Sequence, residues 1–190
     1  MNLKSKTGLT MFVVSALLMV TCFVFITVDS AQAATYTVYS AKFSCGKGVE
    51  DDISMDVVKG QYATAINIHN PNGQTVAFTK KAVIALAERN TNVGSISPTV
   101  DESLIADQAM YVDCKDIRSL FPATVKLPSH IEGFLVISVK YPTTGTVPEL
   151  DVWAKYTARH RTSAVSGADP TNTDVESINV VEVRGKKISR

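Results

Sequence analysis

The side chains best suited to chemistry in this sequence are few and widely spaced. Histidines stand at His69, His130 and His160. A zinc or copper site needs several nitrogen, sulfur or oxygen donors converging on one ion. Each histidine falls at or near a strand end or loop, and the spacing shows no such convergence. Each therefore reads as a surface or hydrogen-bonding residue. Glu50, Asp51, Asp52 and Asp56 make an acidic stretch. Calcium takes about six or more oxygens at ordered spacing, and the Asp-x-Asp-x-Asp-Gly pattern is missing, so this stretch reads as solvated charge. Asp113 and Asp116 flank Cys114. Paired carboxylates can share acid and base work, but helix capping and turn formation account for this pair more simply.

Nucleophilic and phosphate-cradling patterns are also missing. Serines are plentiful, yet none sits in a Gly-x-Ser-x-Gly elbow. Gly46-Lys47-Gly48 lacks the spacing of a phosphate-binding loop. No catalytic residue, metal ligand or cofactor site is assigned. What remains is a polar recognition rim formed by His69, Asn70, Lys80 and Lys81, with Trp153 or Tyr156 as a platform on which a glycan or peptide docks.

Cys22, Cys45 and Cys114 are the three cysteines. Cys22 lies in an apolar N-terminal run, which leaves Cys45 and Cys114 as an even pair. In an exported protein such a pair reads as a disulfide. It closes a loop of roughly 70 residues and stabilises by about 2–4 kcal/mol. Two unpaired buried thiols are the alternative. No Cys-x-x-Cys spacing points to redox or zinc chemistry.

Export is read from the first residues. Lys4 and Lys6 precede an uncharged run of 20 residues, Leu9 to Val28, which is followed by Ala31-Gln32-Ala33. That order fits a signal peptide over 1–33 with cleavage before Ala34. The run is also long enough to cross a bilayer, so an uncleaved membrane anchor is the alternative. Thr21 and the apolar residues after Cys22 argue against a lipoprotein. The chain carries 19 basic and 18 acidic residues; without Lys4, Lys6 and Asp29 it holds 17 of each. No basic stripe is visible, which argues against nucleic acid as a partner.

The elements that must position these residues are strands. Tyr39, Ala41, Phe43 and Cys45 share a face over 35–45. Tyr62, Thr64, Ile66 and Ile68 do so over 61–69. The Asn70-Pro71-Asn72-Gly73 turn leads into a third strand over 75–87, and this pair reads as a hairpin. Lys80-Lys81 interrupts the third strand, which suggests a bulge or a rim. Tyr111 to Cys114 is a short strand, followed by a helical turn over 116–121 capped by Asp113 or Asp116. The centre of the chain is a second hairpin over 133–158. Its first strand, Gly133 to Tyr141, is apolar on both faces. Its second alternates, with Leu150, Val152, Ala154 and Tyr156 on one face and Trp153 on the polar one. Residues 159–174 read as an exposed, mobile loop, Ser177 to Val183 as the last strand, and Arg184 to Arg190 as a frayed terminus. About seven strands with short connections point to an antiparallel β-sandwich of immunoglobulin-like architecture, a single domain over 34–190.

Several stretches carry a resemblance. They are Tyr39-x-Ala41-Lys42-Phe43-x-Cys45-Gly46, Ala65-x-Asn67-x-His69-Asn70-Pro71, Lys80-Lys81-Ala82 and Asp113-Cys114-x-Asp116-Ile117. Gly133-Phe134-x-Val136-Ile137 and Leu150-Asp151-Val152-x-Ala154-x-Tyr156-Thr157-Ala158 complete the set. Together they resemble a group of small exported bacterial β-sandwich proteins, over nearly all of 34–190. The resemblance implies the fold and the export, and it brings no catalytic residue with it.

These readings converge on a non-enzymatic exported protein, periplasmic or extracellular, with a binding or structural role at the cell envelope. Its partner is an envelope or extracellular protein or a glycan. Membrane contact runs only through an uncleaved N-terminal segment, and self-association is open. A carbohydrate- or ligand-binding module is one alternative, a filament or surface-layer subunit adding strands edge to edge another, and a metal handler using His69 and the acidic stretch a third. N-terminal sequencing of the exported protein should read from Ala34; a chain starting at Met1 or Asn2 would instead identify the anchor.

Overall fold

Strict alternation of apolar and polar residues sets the inner face of each strand. The computed structural model describes residues 34–48, 60–86, 93–142, 147–160 and 174–189, with backbone alone at 160 and 174–178. The N-terminal segment 1–33, the acidic stretch and most of the 159–174 loop lie outside the described residues. Strand β1 (Thr35–Gly48) buries Thr37, Tyr39, Ala41, Phe43 and Cys45 at every second position. Strand β2 (Gly60–His69) buries Thr64, Ile66 and Ile68. Strand β3 (Val76–Ile84) buries Val76, Phe78, Lys80, Ala82 and Ile84. Then come β4 (Val100–Leu104), β5 (Ala109–Asp113), helix α1 (Cys114–Ser119), β6 (His130–Lys140), β7 (Asp151–His160), β8 (Asp174–Glu182) and β9 (Lys186–Ser189).

The class is all-β, and every described pairing is antiparallel. The arrangement differs from two separate sheets of about seven strands. Among the described residues nine strands form one open sheet in the order β4-β3-β6-β1-β2-β7-β8, with β5 also on β2 and β9 also on β1. One arm is β4-β3-β6-β1-β9; the other is β5-β2-β7-β8. They join at a short seam where Gly46, Lys47 and Gly48 pair with Tyr62, Gln61 and Gly60. The two additional strands are short and give a weak pattern. Strand β4 offers only Val100 and Leu104 around Asp101, Glu102 and Ser103. Strand β9, within what reads as a frayed tail, pairs Ser189 with Thr35 through Lys186 with Val38.

Neither expected hairpin forms. Strand β2 pairs with β1, β5 and β7, and β3 pairs with β4 and β6. Likewise β6 lies between β3 and β1, whereas β7 lies between β2 and β8. Residues 70–75 carry the chain from one arm to the other, and β6 and β7, consecutive in the chain, belong to different arms. Asn70 pins the first of these crossings. Fully buried, its Nδ2 donates to the carbonyls of Gln74 (2.8 Å), Leu104 (2.9 Å) and Ile105 (3.0 Å). Its Oδ1 accepts from the backbone N–H of Asn72 at 3.0 Å and from Asn72 Nδ2 at 2.8 Å. An amide nitrogen has two hydrogens, so one is shared between carbonyls.

Two other expectations change. The β3 to β6 register runs without a slip from Thr79 to Ile84, so the lysine pair makes no bulge. Lys80 sits on the inner face, its Nζ 2.6 Å from Glu102 Oε1 on β4. Strand β6 is central in the sheet, yet only one face is covered among the described residues: Ile131, Leu135, Ile137 and Val139 are buried, while Phe134 is exposed.

Both arms turn their inner faces to a single core that includes Phe43, Leu135 and Ile137 from one arm and Ile66, Ile68 and Val152 from the other. Polar ties cross between them. Tyr39 Oη accepts from the N–H of Leu150 at 2.8 Å. Tyr156 Oη donates to the carbonyl of Lys42 at 2.9 Å. Thr64 Oγ1 donates to the carbonyl of Ser44 and accepts from its N–H, both at 3.0 Å. The expected disulfide is present and joins Cys45 on β1 to Cys114 at the start of α1. Asp113 caps that helix in a capping box with Asp116, the capping expected of these two carboxylates.

Two outcomes follow from this arrangement. Replacing Cys45 and Cys114 together by Ala should lower unfolding free energy by about 2–4 kcal/mol in denaturant titrations. The second concerns alkaline pH. Burial raises the Tyr39 phenol above its ordinary 10.0, against the opposing Leu150 hydrogen bond, and burial also raises Tyr62 and Tyr156. Below the unfolded value the phenols are neutral in both states. Above it unfolded chains lose protons first, so melting temperature should fall as pH rises past 10. Tyr39→Phe should reduce that alkaline loss, while costing about 1–3 kcal/mol at neutral pH because Leu150 N–H loses its acceptor.

Candidate functional site

The outer face of the β5-β2-β7-β8 arm gathers the described residues best placed for recognition. Since Val112, Ile66, Ile68, Val152 and Ala154 are buried, the residues alternating with them face outward. Register then assembles one row. Asn67 on β2 pairs with Tyr111 on β5 and with Trp153 on β7, and Trp153 pairs with Glu182 on β8. Tyr111 is 64% exposed and Trp153 43%. They stand two strand spacings apart, about 10 Å, with the Asn67 amide between them.

The flanking rows mix polar and apolar residues, with the exposed Val180 beside Lys155 in one of them. On one side His69 pairs with Asp151 across β2 and β7, and its Nδ1 lies 3.0 Å from Asp151 Oδ2. On the other, Ala65 pairs with Asp113 and with Lys155. Aromatic rings offer flat apolar faces, and the carboxylates, amide and amine around them offer directed donors and acceptors. The row stands on a rigid frame, because β2 is paired on both sides and β5 runs straight into the capped, disulfide-bonded helix.

Of the residues in the sequence-derived rim, this face brings together only His69 and Trp153. Asn70 is buried at the crossing described above. Lys80 is buried against Glu102, and Lys81 belongs to the other arm, where it pairs with Val136 of β6. Tyr156 points inward to Lys42. The histidines are spread out. His69 lies at the Asp151 end of β7, His160 ends β7 at its other terminus, and His130 Nε2 is 3.0 Å from Ser44 Oγ with its ring edge-on to Tyr62. Among the described residues no group of three or more histidine, cysteine or acidic side chains is placed to hold a metal.

Tyr111 is the residue that sequence reasoning passed over. Its signal was the alternation of Met110, Tyr111 and Val112, too short to assign faces until β5 is seen paired with β2. No protein-family model, curated protein or solved structure matches this chain.

Proposed function

We propose that this chain is a non-enzymatic, exported binding module of the cell envelope or cell surface, which holds an extended glycan against the outer face of β5, β2 and β7. One observation carries this reading: Tyr111 and Trp153 are exposed on either side of Asn67 in a single row of a stapled sheet. Sugar rings have an apolar face and polar edges. Two aromatic faces separated by an amide match that pattern along a chain of sugars. A protein partner calls for a more continuous apolar centre, which Asn67 and the His69–Asp151 pair interrupt. Export is supported by the disulfide, since such bonds persist in oxidising compartments. No helix among the described residues is long and apolar enough to cross a membrane.

Edge-to-edge assembly is a second reading. Among the described strands β8 pairs with β7 alone, and it exposes Val180 and Val181; strand edges of this kind recruit further strands.

A glycan array followed by calorimetry on the best binder tests the main reading. Trp153→Ala and Tyr111→Ala should each weaken binding about tenfold, equivalent to 1.4 kcal/mol, with the melting temperature unchanged. Binding indifferent to both changes, or steady turnover of the glycan, would overturn it. Concentration-dependent light scattering that disappears on replacing Val180 by Lys would favour assembly instead.

A further inference from the structure

A second feature lies at the seam between the two arms, separate from the aromatic row. Lys47 of β1, Gln61 of β2 and Arg159 of β7 pair in one row, and all three are exposed. Beside them helix α1 contributes Lys115 and Arg118. These elements enclose a cleft of about 640 Å³ with Tyr62 and Ala158 in its wall. Four cations line it, and no carboxylate appears among its described lining residues.

Arg118 is held in place. Its Nη1 donates to the carbonyl of Pro128 at 3.0 Å, and its Nη2 donates to those of Ser129 at 2.7 Å and Cys45 at 3.4 Å. Those partners are neutral, so its positive charge is not cancelled. Lys47, Lys115 and Arg159 form no ion pair among the described residues. Four like charges around one concavity raise each other's energy, and an anion there relieves it. Lysine and arginine both suit phosphate, and a phosphate monoester brings about −1.5 to −2 charges with three acceptor oxygens. The cleft is larger than a bare phosphate needs, and Ala63, Thr157 and the Gln61 amide, which share its face, give an attached organic body a mixed apolar and polar wall.

We propose that this cleft binds a phosphate ester on a small organic body, supplied either by a phosphorylated sugar or by a phospholipid headgroup. The proposal stands whether or not the aromatic row binds glycan. Lys47 and Arg159 stand on backbone positions about 10 Å apart across Gln61 and, with Lys115, are the cations free to turn toward the ester, while Arg118 and the disulfide keep the wall fixed.

Calorimetric titration of the purified full-length chain with glycerol phosphate, glycerol and inorganic phosphate tests this. Glycerol phosphate should bind at least tenfold more tightly than either of the others, and the affinity should fall as salt is raised. The double variant Lys47→Glu/Arg159→Glu should lose at least tenfold in that affinity, with its disulfide and melting temperature retained. Sedimentation with vesicles then separates the sources. If phosphatidylglycerol vesicles retain more wild-type chain than phosphatidylcholine vesicles, and the variant removes that excess, the headgroup is the source. If the vesicles do not differ while glycerol phosphate binds, a soluble phosphorylated sugar is. Glycerol phosphate binding no better than glycerol, or equally well to the variant, overturns the proposal. Inorganic phosphate binding as tightly as the ester overturns the part assigned to the organic body.

Discussion

The structure depends on a seam only a few residues long. Among the described residues the two arms of the sheet are joined by strand pairing only at Gly46 to Gly48, so strand hydrogen bonding there leaves their relative placement weakly determined. The disulfide closes that freedom at the residue next to the seam, because Cys45 immediately precedes Gly46. Gly46 adopts a φ of +109°, and a Cβ there would lie 1.9 Å from the carbonyl oxygen of Ser129, so only glycine fits. Arg118 caps the carbonyls of Ser129 and Cys45 from outside, while the Ser44 and Thr64 backbone and hydroxyl groups exchange hydrogen bonds inside. Sulfur, guanidinium and glycine thus converge where the sheet is thinnest.

The inner faces were legible in the sequence, and the partners were not. A period of two tells which side of a strand is buried, and Tyr39 to Cys45, Thr64 to Ile68 and Leu150 to Ala154 obey it. The same period is compatible with any neighbour. Adjacent strands joined by turn residues suggest hairpins, but β2 and β6 find their partners elsewhere because each following connection crosses to the other arm. The Cys45 and Cys114 pair and the Asp113 cap were legible because each rests on residue type and local or compartmental chemistry. Asn70 and Lys80 misled because polar residues at a turn and inside a strand look like surface. In the fold Asn70 is fully buried and finds its partners among backbone carbonyls, and Lys80 finds Glu102.

The candidate face is a product of register rather than of any one stretch. Tyr111, Asn67 and Trp153 come from three separate strands, and only pairing β5 and β7 on opposite sides of β2 places them in line. Trp153 could be set on a polar face from its own strand, whereas Tyr111 gained meaning only from its neighbour. The cationic cleft arises in the same way, from the row that joins β1, β2 and β7 at the seam. Both surfaces therefore share β2 and β7, and the frame that the disulfide holds.

Strand β1 is paired over most of its length with β6 and at Thr35 to Val38 with β9, and both come from the second half of the chain. It is made first and must wait for both. Contacts so distant along the polypeptide slow folding, since much of the chain must be ordered before they form. The waiting strand, rich in β-branched and aromatic residues, is a ready template for wrong pairing. During refolding from denaturant residues 35–48 therefore stay open to wrong partners until residues 130–140 reach them.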